Sequence, residues 1–513
     1  MCCSIIESRK VGIFMNFNLQ SFSIKIICEK ENKDAVVEKS FDGKTLDLYL
    51  TATEDKPKFV ELTWNADIEK DALILGDTWE RSYGNLCFKK ISEIKKNLPW
   101  YFIIKESNSS FCFGVKTQPN SFISFNCTEN KIKAVIDVKN GGNGVHLNGR
   151  KLHLATFIYE NYESTDTFEC LKDFCKKMCD NPIFPKEIIY GGNNWYYAYG
   201  KSTYAEIVAD AKLQAELAEG IENRPFEVID DCWQKKKCCG PWLANRKFKD
   251  MKKLADEIRE VGARPGIWVR LLNNKDRSIT RDMRIKRPGR CRYLDPTNPK
   301  TAVFIRSDVE RIRDWGYELL KHDFSTADLF GSFGGDLDAS ITNIDNWNFY
   351  DKTKTNAEIV LDFYRLIKDA AGDMLIIGCN TISHLCAGLV EINRIGDDTS
   401  GKEWDRTKKY GVNTLAFRLA QNEAFYMCDA DCVGILKDYI PWEKNGQWLH
   451  LLSYSNTPLF VSCNNTINDQ MKKDLKTAYK IFNARHEFRP VDLTESATPE
   501  KWIIDGDVVE YKW

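Results

Sequence analysis

The sequence has no long apolar run and no excess of either charge. Because it lacks a stretch of about 18 apolar residues, it offers no candidate for a membrane-spanning helix. Lys and Arg number 73 and Asp and Glu number 74, so no net field favours nucleic acid or an anionic membrane. We therefore expect neither nucleic acid nor a membrane as a partner of this chain.

Signals for metals, nucleotides and secretion are also scarce. Histidines at strand ends are nearly absent, no compact D-x-D-x-D-G loop occurs, and GGNNWYYAYG does not fit G-x-G-x-x-G. Charges at Glu7, Arg9 and Lys10 interrupt the N-terminal segment, which argues against a secretory signal; whether translation starts at Met1 or Met15 stays open. The 18 Cys are therefore predicted to be reduced thiols of a cytoplasmic protein, and no metal or cofactor is expected.

The first 164 residues are predicted to form an antiparallel β-sandwich. Short alternating or apolar runs are separated by turn-rich pieces such as EDKPK and NGGNG, which is typical of strands in such folds. This part of the sequence shows no catalytic constellation. The eight predicted strands are SFSIKIICEK, TLDLYLTA, KFVELTW, PWYFIIKE, SFCFGVK, SFISFNC, IKAVIDV and KLHLATFIYE.

Beyond this region the hydrophobic period changes. A linking helix is predicted over residues 165–180, within a boundary segment, 165–187, that ends in two prolines. Residues 188–482 then alternate eight times between a short apolar strand and an amphipathic helix, which indicates a (β/α)8 TIM barrel. A doubly wound open sheet is the alternative, but it would be expected to carry a glycine-rich phosphate loop. Residues 483–513 are predicted to form a C-terminal β hairpin region.

Three apolar runs in the predicted barrel stop abruptly in aspartate. They are YELLKHDFS, which contains Asp323, EINRIGDDTSG, with Asp397 and Asp398, and FEVIDDCW, with Asp230 and Asp231. The C-terminal ends of barrel strands form the active site, so these carboxylates should meet at one rim. Two carboxylates that share one scissile bond are what glycoside hydrolysis requires. The pattern therefore predicts an enzyme that acts on sugars. The other strand ends place further candidate residues at the same rim: Trp195, Trp268, Lys321, Asn380 and Arg394.

The order of these motifs resembles a known clan of enzymes. GGNNW, IDDCW, the LADxI and GIW stretch, YLDPTNP, KHDFS, GCN and RIGDD follow one another as in the α-galactosidase clan, glycoside hydrolase families 27 and 36. The resemblance covers roughly residues 188–465, and the β-sandwich in front is similar to family 36 architecture. Because KHDFS and GCNTISHLCAG depart from the family patterns, the chain resembles a divergent member.

The resemblance implies a retaining mechanism with a covalent glycosyl-enzyme intermediate. Asp323 falls on the nucleophile position, and Lys321 would contact a sugar hydroxyl and help to keep Asp323 ionised. The acid/base is open: alignment on Gly396 gives Asp397, whereas counting four residues from Arg394 gives Asp398. We favour Asp397, with its neighbour as a sugar ligand or support, and expect the acid/base to have a raised pKa in the free protein.

The resemblance also assigns residues to substrate binding. Asp230 and Asp231 would clamp the 4- and 6-hydroxyls of galactose, and Arg394 would reach carbon 2 or 3. Trp195 would form the floor of the pocket, with Trp242 and Trp268 as walls. The residues expected near carbon 2 of the sugar are Asn380, Ser383 and His384. They match neither the galactose nor the N-acetylgalactosamine pattern of family 27.

These features predict a metal-free exo-α-glycosidase that acts on an imported oligosaccharide, most plainly an α-galactosidase. An α-N-acetylgalactosaminidase or a β-L-arabinopyranosidase is the alternative within hydrolysis. A galactosyltransferase of the raffinose-synthase type would use the same covalent intermediate and the same residues. A catalytically silent sugar-binding protein is a further alternative, and a homo-oligomer is an open expectation.

Overall fold

The computed structural model of the protein describes residues 17–289, 292–436 and 439–513. The N-terminal segment that carries Met15 and the charges weighed against a secretory signal lies outside these residues. Within the described ranges, no helix combines the length and apolar character needed to cross a membrane.

Two antiparallel sheets occupy the N-terminal region. Their strand orders are β1-β4-β11-β10-β7 and β2-β3-β12-β9-β8-β5-β6. All eight predicted strands are present; the mostly exposed edge strand β2 and the short strands β5 and β6 were not predicted. The bounds are β1 Phe22–Cys28, β2 Val36–Phe41, β3 Leu46–Thr51, β4 Pro57–Asn65, β5 Leu73–Gly76, β6 Lys89–Lys90, β7 Leu98–Pro99, β8 Tyr101–Lys105, β9 Ser110–Val115, β10 Phe122–Thr128, β11 Lys131–Asp137 and β12 Leu152–Tyr162.

Aromatic rings fill the space between these two sheets. Trp64 of one sheet meets Phe113 of the other edge to face, with ring centroids 5.2 Å apart. Phe125 and Phe102 pair across the same gap at 5.4 Å. Edge-to-face rings gain from their quadrupoles in addition to the apolar area that they bury. The sheets are therefore held face to face by a core of large apolar side chains.

A nine-stranded curled parallel sheet forms the second region. Its order is β21-β20-β19-β18-β17-β14-β13-β23-β22, so all eight predicted strands of this region are present. The predicted seventh strand is split at Ala430 and Asp431, because Asp431 takes a left-handed φ of 70° that interrupts the ladder. The strands are β13 Tyr190–Asn193, β14 Phe226–Ile229, β15 Gln234–Lys236, β16 Cys239–Ala244, β17 Arg264–Val269, β18 Leu319–His322, β19 Leu375–Gly378, β20 Ile392–Arg394, β21 Met427–Asp429, β22 Cys432–Gly434 and β23 Leu459–Ser462.

Helices follow the parallel strands, as the 3.6-residue period predicts. Capping boxes at Thr203 with Glu206 and at Thr355 with Glu358 fix two of their starts. The helices are α1 Thr167–Met178, α2 Trp195–Ala198, α3 Tyr204–Leu217, α4 Met251–Glu260, α5 Pro299–Asp314, α6 Ser325–Phe330, α7 Asn356–Ala371, α8 Ser383–Cys386, α9 Trp404–Arg406, α10 Asn413–Arg418, α11 Trp442–Tyr454 and α12 Asp469–Phe482. A C-terminal antiparallel sheet comprises β24 Phe488–Pro490, β25 Lys501–Ile504 and β26 Asp507–Glu510.

One segment of the N-terminal region, residues 77–83, reaches the rim of the parallel sheet. Beyond β5, the amide of Ser82 donates to the carbonyl of Ile395 at 2.6 Å, and the amide of Asp397 donates to the carbonyl of Ser82 at 3.1 Å. These bonds extend the end of β20 by one short parallel bridge. We call residues 77–83 the bridging segment; it places N-terminal side chains beside the strand-end carboxylates.

Candidate active site

A cavity of about 140 Å³ lies at the C-terminal ends of the parallel strands. Nine of the thirteen residues that the sequence analysis names for the site line it, as expected if the C-terminal strand ends meet at one edge. The lining residues are Arg81, Trp195, Tyr196, Asp230, Asp231, Cys238, Trp268, Lys321, Asp323, Phe324, Cys379, Asn380, Arg394 and Asp398.

Asp323, directly after β18, is held by three donors. The indole nitrogen of Trp268 donates to Oδ2 at 3.0 Å. The amide of Phe324 donates to Oδ1 at 2.6 Å, and the side-chain amide of Asn380 donates to the same oxygen. Phe324 and Asn380 both have left-handed φ values, of 65° and 53°. Strained backbone of this kind concentrates at functional sites, and at Phe324 it belongs to the residue whose amide contacts the Asp323 carboxylate.

The tandem carboxylates after β14 have separate partners. Asp230 accepts from Lys321 Nζ at 2.8 Å and from Asn193 at 3.0 Å. Burial would lower the pKa of Lys321, but the Asp230 carboxylate raises it well above its ordinary value. The sequence predicts that Lys321 supports Asp323, whereas its ion pair is with Asp230.

Asp231 is fixed mainly through one of its two oxygens. Oδ1 accepts from Gln234 Nε2 at 2.6 Å and from the amides of Cys232 and Cys238 at 2.7 and 2.9 Å. Oδ2 accepts from the thiol of Cys238 at 2.8 Å. The weak thiol donor leaves Oδ2 as the oxygen best able to accept from a sugar hydroxyl.

The two candidates for the acid/base differ in position. Asp397 does not line the cavity; Arg81 holds its Oδ1 at 2.8 Å, Arg406 lies 3.3 Å from its Oδ2, and its side chain is 15% exposed. Asp398 does line the cavity and is 39% exposed, with Arg394 at 3.3 Å and Arg81 at 3.6 Å. Of the two candidates, Asp398 therefore lines the cavity, whereas the sequence favours Asp397.

The charge around Asp398 also differs from expectation. Burial would raise its pKa, but the cations Arg394, Arg81, Lys321 and Arg406 lower it below its ordinary value. The expectation of a raised pKa thus does not apply to Asp398. Arg394 is itself anchored, since its guanidinium lies 2.6 Å from the carboxylate of Asp431 and both are fully buried.

Two residues assigned to substrate binding lie elsewhere. Trp242 is buried behind the cavity wall, between Trp233 at 6.0 Å and Trp268 at 5.9 Å, where it supports the wall rather than forming it. His384 stacks on Trp100 at 5.0 Å, and its Nε2 lies 2.8 Å from the carbonyl of Val115. Helix α8 turns His384 away from the cavity and into the contact with the N-terminal sheets.

Five lining residues have no predicted role: Cys379, at the strand end in GCN, and four that sequence reasoning missed, Arg81, Tyr196, Cys238 and Phe324. Arg81 belongs to a region in which the sequence shows no catalytic constellation, and only the bridging segment delivers it to the rim. Phe324 and Tyr196 directly follow predicted site residues, so adjacency is a signal that could have found them. Cys238 lies in a hairpin that the strand and helix periods do not reveal.

Comparison with known proteins identifies the fold. No protein-family model and no curated protein matches the sequence. Among solved structures, the α-galactosidase TtGalA from Thermus thermophilus, in complex with p-nitrophenyl α-D-galactopyranoside, has a TM-score of 0.65 at 15% identity, covering 90% of this chain and 97% of its own. The GH36 α-galactosidase AgaA from Geobacillus stearothermophilus, in complex with stachyose, has a TM-score of 0.58 at 12% identity, covering 91% and 73%.

The galactosidase domain of the α-galactosidase-sucrose kinase AgaSK is similar as well. It has a TM-score of 0.58 at 15% identity and covers 95% of this chain and 75% of its own. At identities this low the structural similarity shows the fold alone. The low identities agree with the divergence seen in the sequence motifs. The protein therefore has the fold of glycoside hydrolase family 36 α-galactosidases, which confirms the resemblance that its sequence shows.

Proposed function

We propose that the protein is a retaining exo-α-glycosidase that hydrolyses terminal α-galactosides. The observation that carries the proposal is one small cavity lined by Asp323, Asp398, Asp231 and the Asp230–Lys321 ion pair. The solved structures with this fold include α-galactosidases bound to p-nitrophenyl α-galactoside and to stachyose, which supports the same substrate class here.

In the proposed reaction, Asp323 is the nucleophile. Its carboxylate attacks the anomeric carbon while the bond from that carbon to the leaving oxygen breaks, and Asp398 gives its proton to the leaving oxygen. Asp398 then takes a proton from water, which attacks the same carbon and releases Asp323. The three donors on Asp323 fix the orientation of its carboxylate for the attack, so little rearrangement is needed in the first step.

The lowered pKa of Asp398 has a consequence for pH dependence. The first step needs this carboxyl protonated, and the protonated fraction grows as pH falls. We therefore propose an optimum on the acidic side of neutrality. In the second step the ionised form is the useful one, so the surrounding arginines favour the base role of Asp398.

Galactose fits the cavity better than its N-acetylated relative. Buried carboxylates at Asp230 and Asp231 would accept from the hydroxyls at carbons 4 and 6, and a substrate without those hydroxyls would lose these charge-assisted hydrogen bonds. Ser383 lies within 3.5 Å of the carbonyls of Thr78 and Trp79, and His384 is also turned away. Neither side chain therefore makes room at carbon 2 for an N-acetyl group.

The proposal also includes the architecture expected from the sequence. We propose that the curled sheet is a closed (β/α)8 barrel whose seventh strand is split into β21 and β22, because these lie at its two ends and only two residues separate them. The division into a sandwich over 1–164, a linker over 165–187, a barrel over 188–482 and a C-terminal region over 483–513 is part of the same proposal.

Hydrolysis can be tested on four chromogenic substrates at pH 5 and pH 7. We expect 4-nitrophenol release from the α-galactoside, less from the β-L-arabinopyranoside, and little from the α-N-acetylgalactosaminide or α-glucoside. Preference for the N-acetyl sugar would contradict the assignment at carbon 2. Product analysis with raffinose and an added sugar acceptor separates hydrolysis from transfer.

The acid/base is tested with Asp398→Ala and its neighbour Asp397→Ala as the matched variant. Only the variant that lacks the acid/base should retain turnover on an activated aryl galactoside and recover with azide, because a good leaving group needs no proton. Recovery of Asp397→Ala instead would return the assignment to the residue that the sequence favours.

A further inference from the structure

Two stretches of the chain near the candidate active site are strongly basic. Residues 235–237 and 275–292 contain eleven Lys and Arg and two Asp, although the two signs nearly balance over the whole chain. Arg290 is among the eleven and lies outside the described residues. We call the described cations of these two stretches the basic rim.

Most of the basic rim faces solvent. Lys235, Lys236, Lys237, Lys275, Arg277 and Arg281 are exposed. In the part of the chain that the structure describes, none of these six forms a salt bridge. Lys236 Nζ lies 3.4 Å from the carbonyl of Lys275, so the two stretches adjoin. The cations of the two adjoining stretches repel one another, and a bound anion would relieve the repulsion.

A cleft of about 700 Å³ lies within the basic rim. Four of its seven lining residues are cationic and one is acidic; they are Arg281, Asp282, Arg284, Ile285, Lys286, Arg287 and Gly289. Asp282 is 3.8 Å from Lys300 and accepts from the hydroxyl of Thr280. The cleft thus combines a concave shape with a positive lining, which suits an anionic ligand.

Short chains of contacts connect the basic rim to the active-site cavity. Arg287 donates to the carbonyl of Leu329 at 2.7 Å, next to Asp328, which forms an ion pair with Arg270. The guanidinium of Arg270 lies over the ring of Phe324, 4.1 Å from its centroid, and Phe324 lines the cavity. On the other stretch, Lys237 directly precedes Cys238, which lines the cavity as well. The basic rim therefore borders the region into which the leaving part of a substrate would extend.

We propose that the substrate is an α-galactoside whose leaving group carries an anionic substituent, a sulfate, phosphate or carboxylate, held by the basic rim. This rests on the proposed function, because it names the substrate class of the same site. Galactose occupies the small cavity, and the anion on the adjoining sugar pairs with Arg281 and Lys286 in the cleft. Neutral oligosaccharides such as raffinose lack this second attachment.

The test compares α-galactosyl-1,3-galactose with the same disaccharide carrying a sulfate on the reducing galactose. In the wild-type protein we expect kcat/KM to be at least about fivefold higher for the sulfated substrate at low salt, and the ratio to approach one in 0.5 M NaCl because salt screens exposed charges. The double variant Arg281→Gln/Lys286→Gln should lose the preference. The control Lys252→Gln/Lys253→Gln, which removes the same charge from the exposed face of α4, should keep it.

Equal turnover of the two disaccharides by the wild-type protein would overturn the proposal, as would a preference that persists in the Arg281→Gln/Lys286→Gln variant. If neither disaccharide is hydrolysed, calorimetric binding to the Asp323→Asn variant decides. Tighter binding of the sulfated disaccharide that salt and the cleft substitutions abolish would support the basic rim while the proposed hydrolysis fails. Binding that ignores the sulfate would overturn the basic rim. A phosphorylated disaccharide run in parallel distinguishes sulfate from phosphate as the preferred anion.

Discussion

The two large regions of the molecule bury different kinds of side chain. Between the N-terminal sheets lie rings such as Trp64, Phe113 and Phe125, which stabilise by apolar burial and edge-to-face contact. At the rim of the parallel sheet the buried groups include Asp230 and Arg394, each paired with an opposite charge. Burying charges contributes little to stability even when they are paired, so their concentration at one rim indicates a site maintained for chemistry.

The bridging segment prevents a clean division between a stabilising region and a reactive one. Asp77 forms a fully buried ion pair with Arg418 at 3.0 Å, and Arg81 reaches both Asp397 and Asp398. The N-terminal region therefore supplies a charge to the candidate active site as well as an apolar core. Substitutions in the two regions and at this contact should therefore have different effects on activity and on stability.

The largest expected effect separates the two regions. Asp323→Asn removes the proposed nucleophile and should lower kcat on 4-nitrophenyl α-galactoside by about 10⁴-fold or more, with an unchanged melting temperature. Phe113→Ala in the aromatic core should do the opposite, destabilising by about 3–5 kcal/mol while the folded fraction keeps its kcat. Thermal denaturation and steady-state kinetics on both variants check this. Substantial activity in Asp323→Asn would remove the nucleophile assignment.

An intermediate effect is expected where the regions meet. Arg81 lowers the pKa of Asp398, so Arg81→Gln should raise that pKa and move the basic limb of the kcat/KM profile to higher pH. We also expect kcat/KM at the optimal pH to fall by about 10- to 100-fold, because Arg81 no longer orients the carboxylates. Arg81→Lys keeps the positive charge, so the basic limb of its kcat/KM profile should stay near the wild-type pH. A purely structural role for Arg81 would lower activity without moving the profile.

The smallest effect concerns stability against acid. Burial lowers the pKa of His384, in the contact between the regions, and of His322, on β18, each to about 4 from an ordinary 6.5. Below pH 6.5 each of these histidines binds a proton in the unfolded chain but not in the folded one. The free energy of unfolding therefore has its full value above pH 6.5 and decreases as the pH falls towards 4. Each histidine contributes a slope of about 1.4 kcal/mol per pH unit.

Replacing either histidine should therefore weaken the fall of the melting temperature between pH 7 and pH 5. His384→Asn and His322→Asn test the contact between the regions and strand β18 separately under identical conditions. An unchanged pH dependence in His384→Asn would mean that the contact between the regions does not limit acid stability.

Much of the fold could be predicted from sequence because its signals are local. The alternation in TLDLYLTA becomes β3, and the helical period after Thr203 becomes α3 with its capping box. The split of the seventh strand could not be predicted, since nothing in AFYMCDADCVG shows that the carboxylate of Asp431 accepts from Thr399 and pairs with Arg394. The hairpin β15–β16 was missed because its exposed lysines follow no apolar period.

Local sequence patterns were enough to predict most strands and helices in their order and to place Asp230, Asp323 and Asp398 at strand ends. Parallel strands point their C-terminal ends to one edge, so residues at those ends must meet whatever the loops do. Local patterns could not show which of Asp397 and Asp398 lines the cavity, that Arg81 reaches it, or that His384 does not. These outcomes depend on contacts between residues hundreds of positions apart, such as Ser82 with Ile395, which no local pattern encodes.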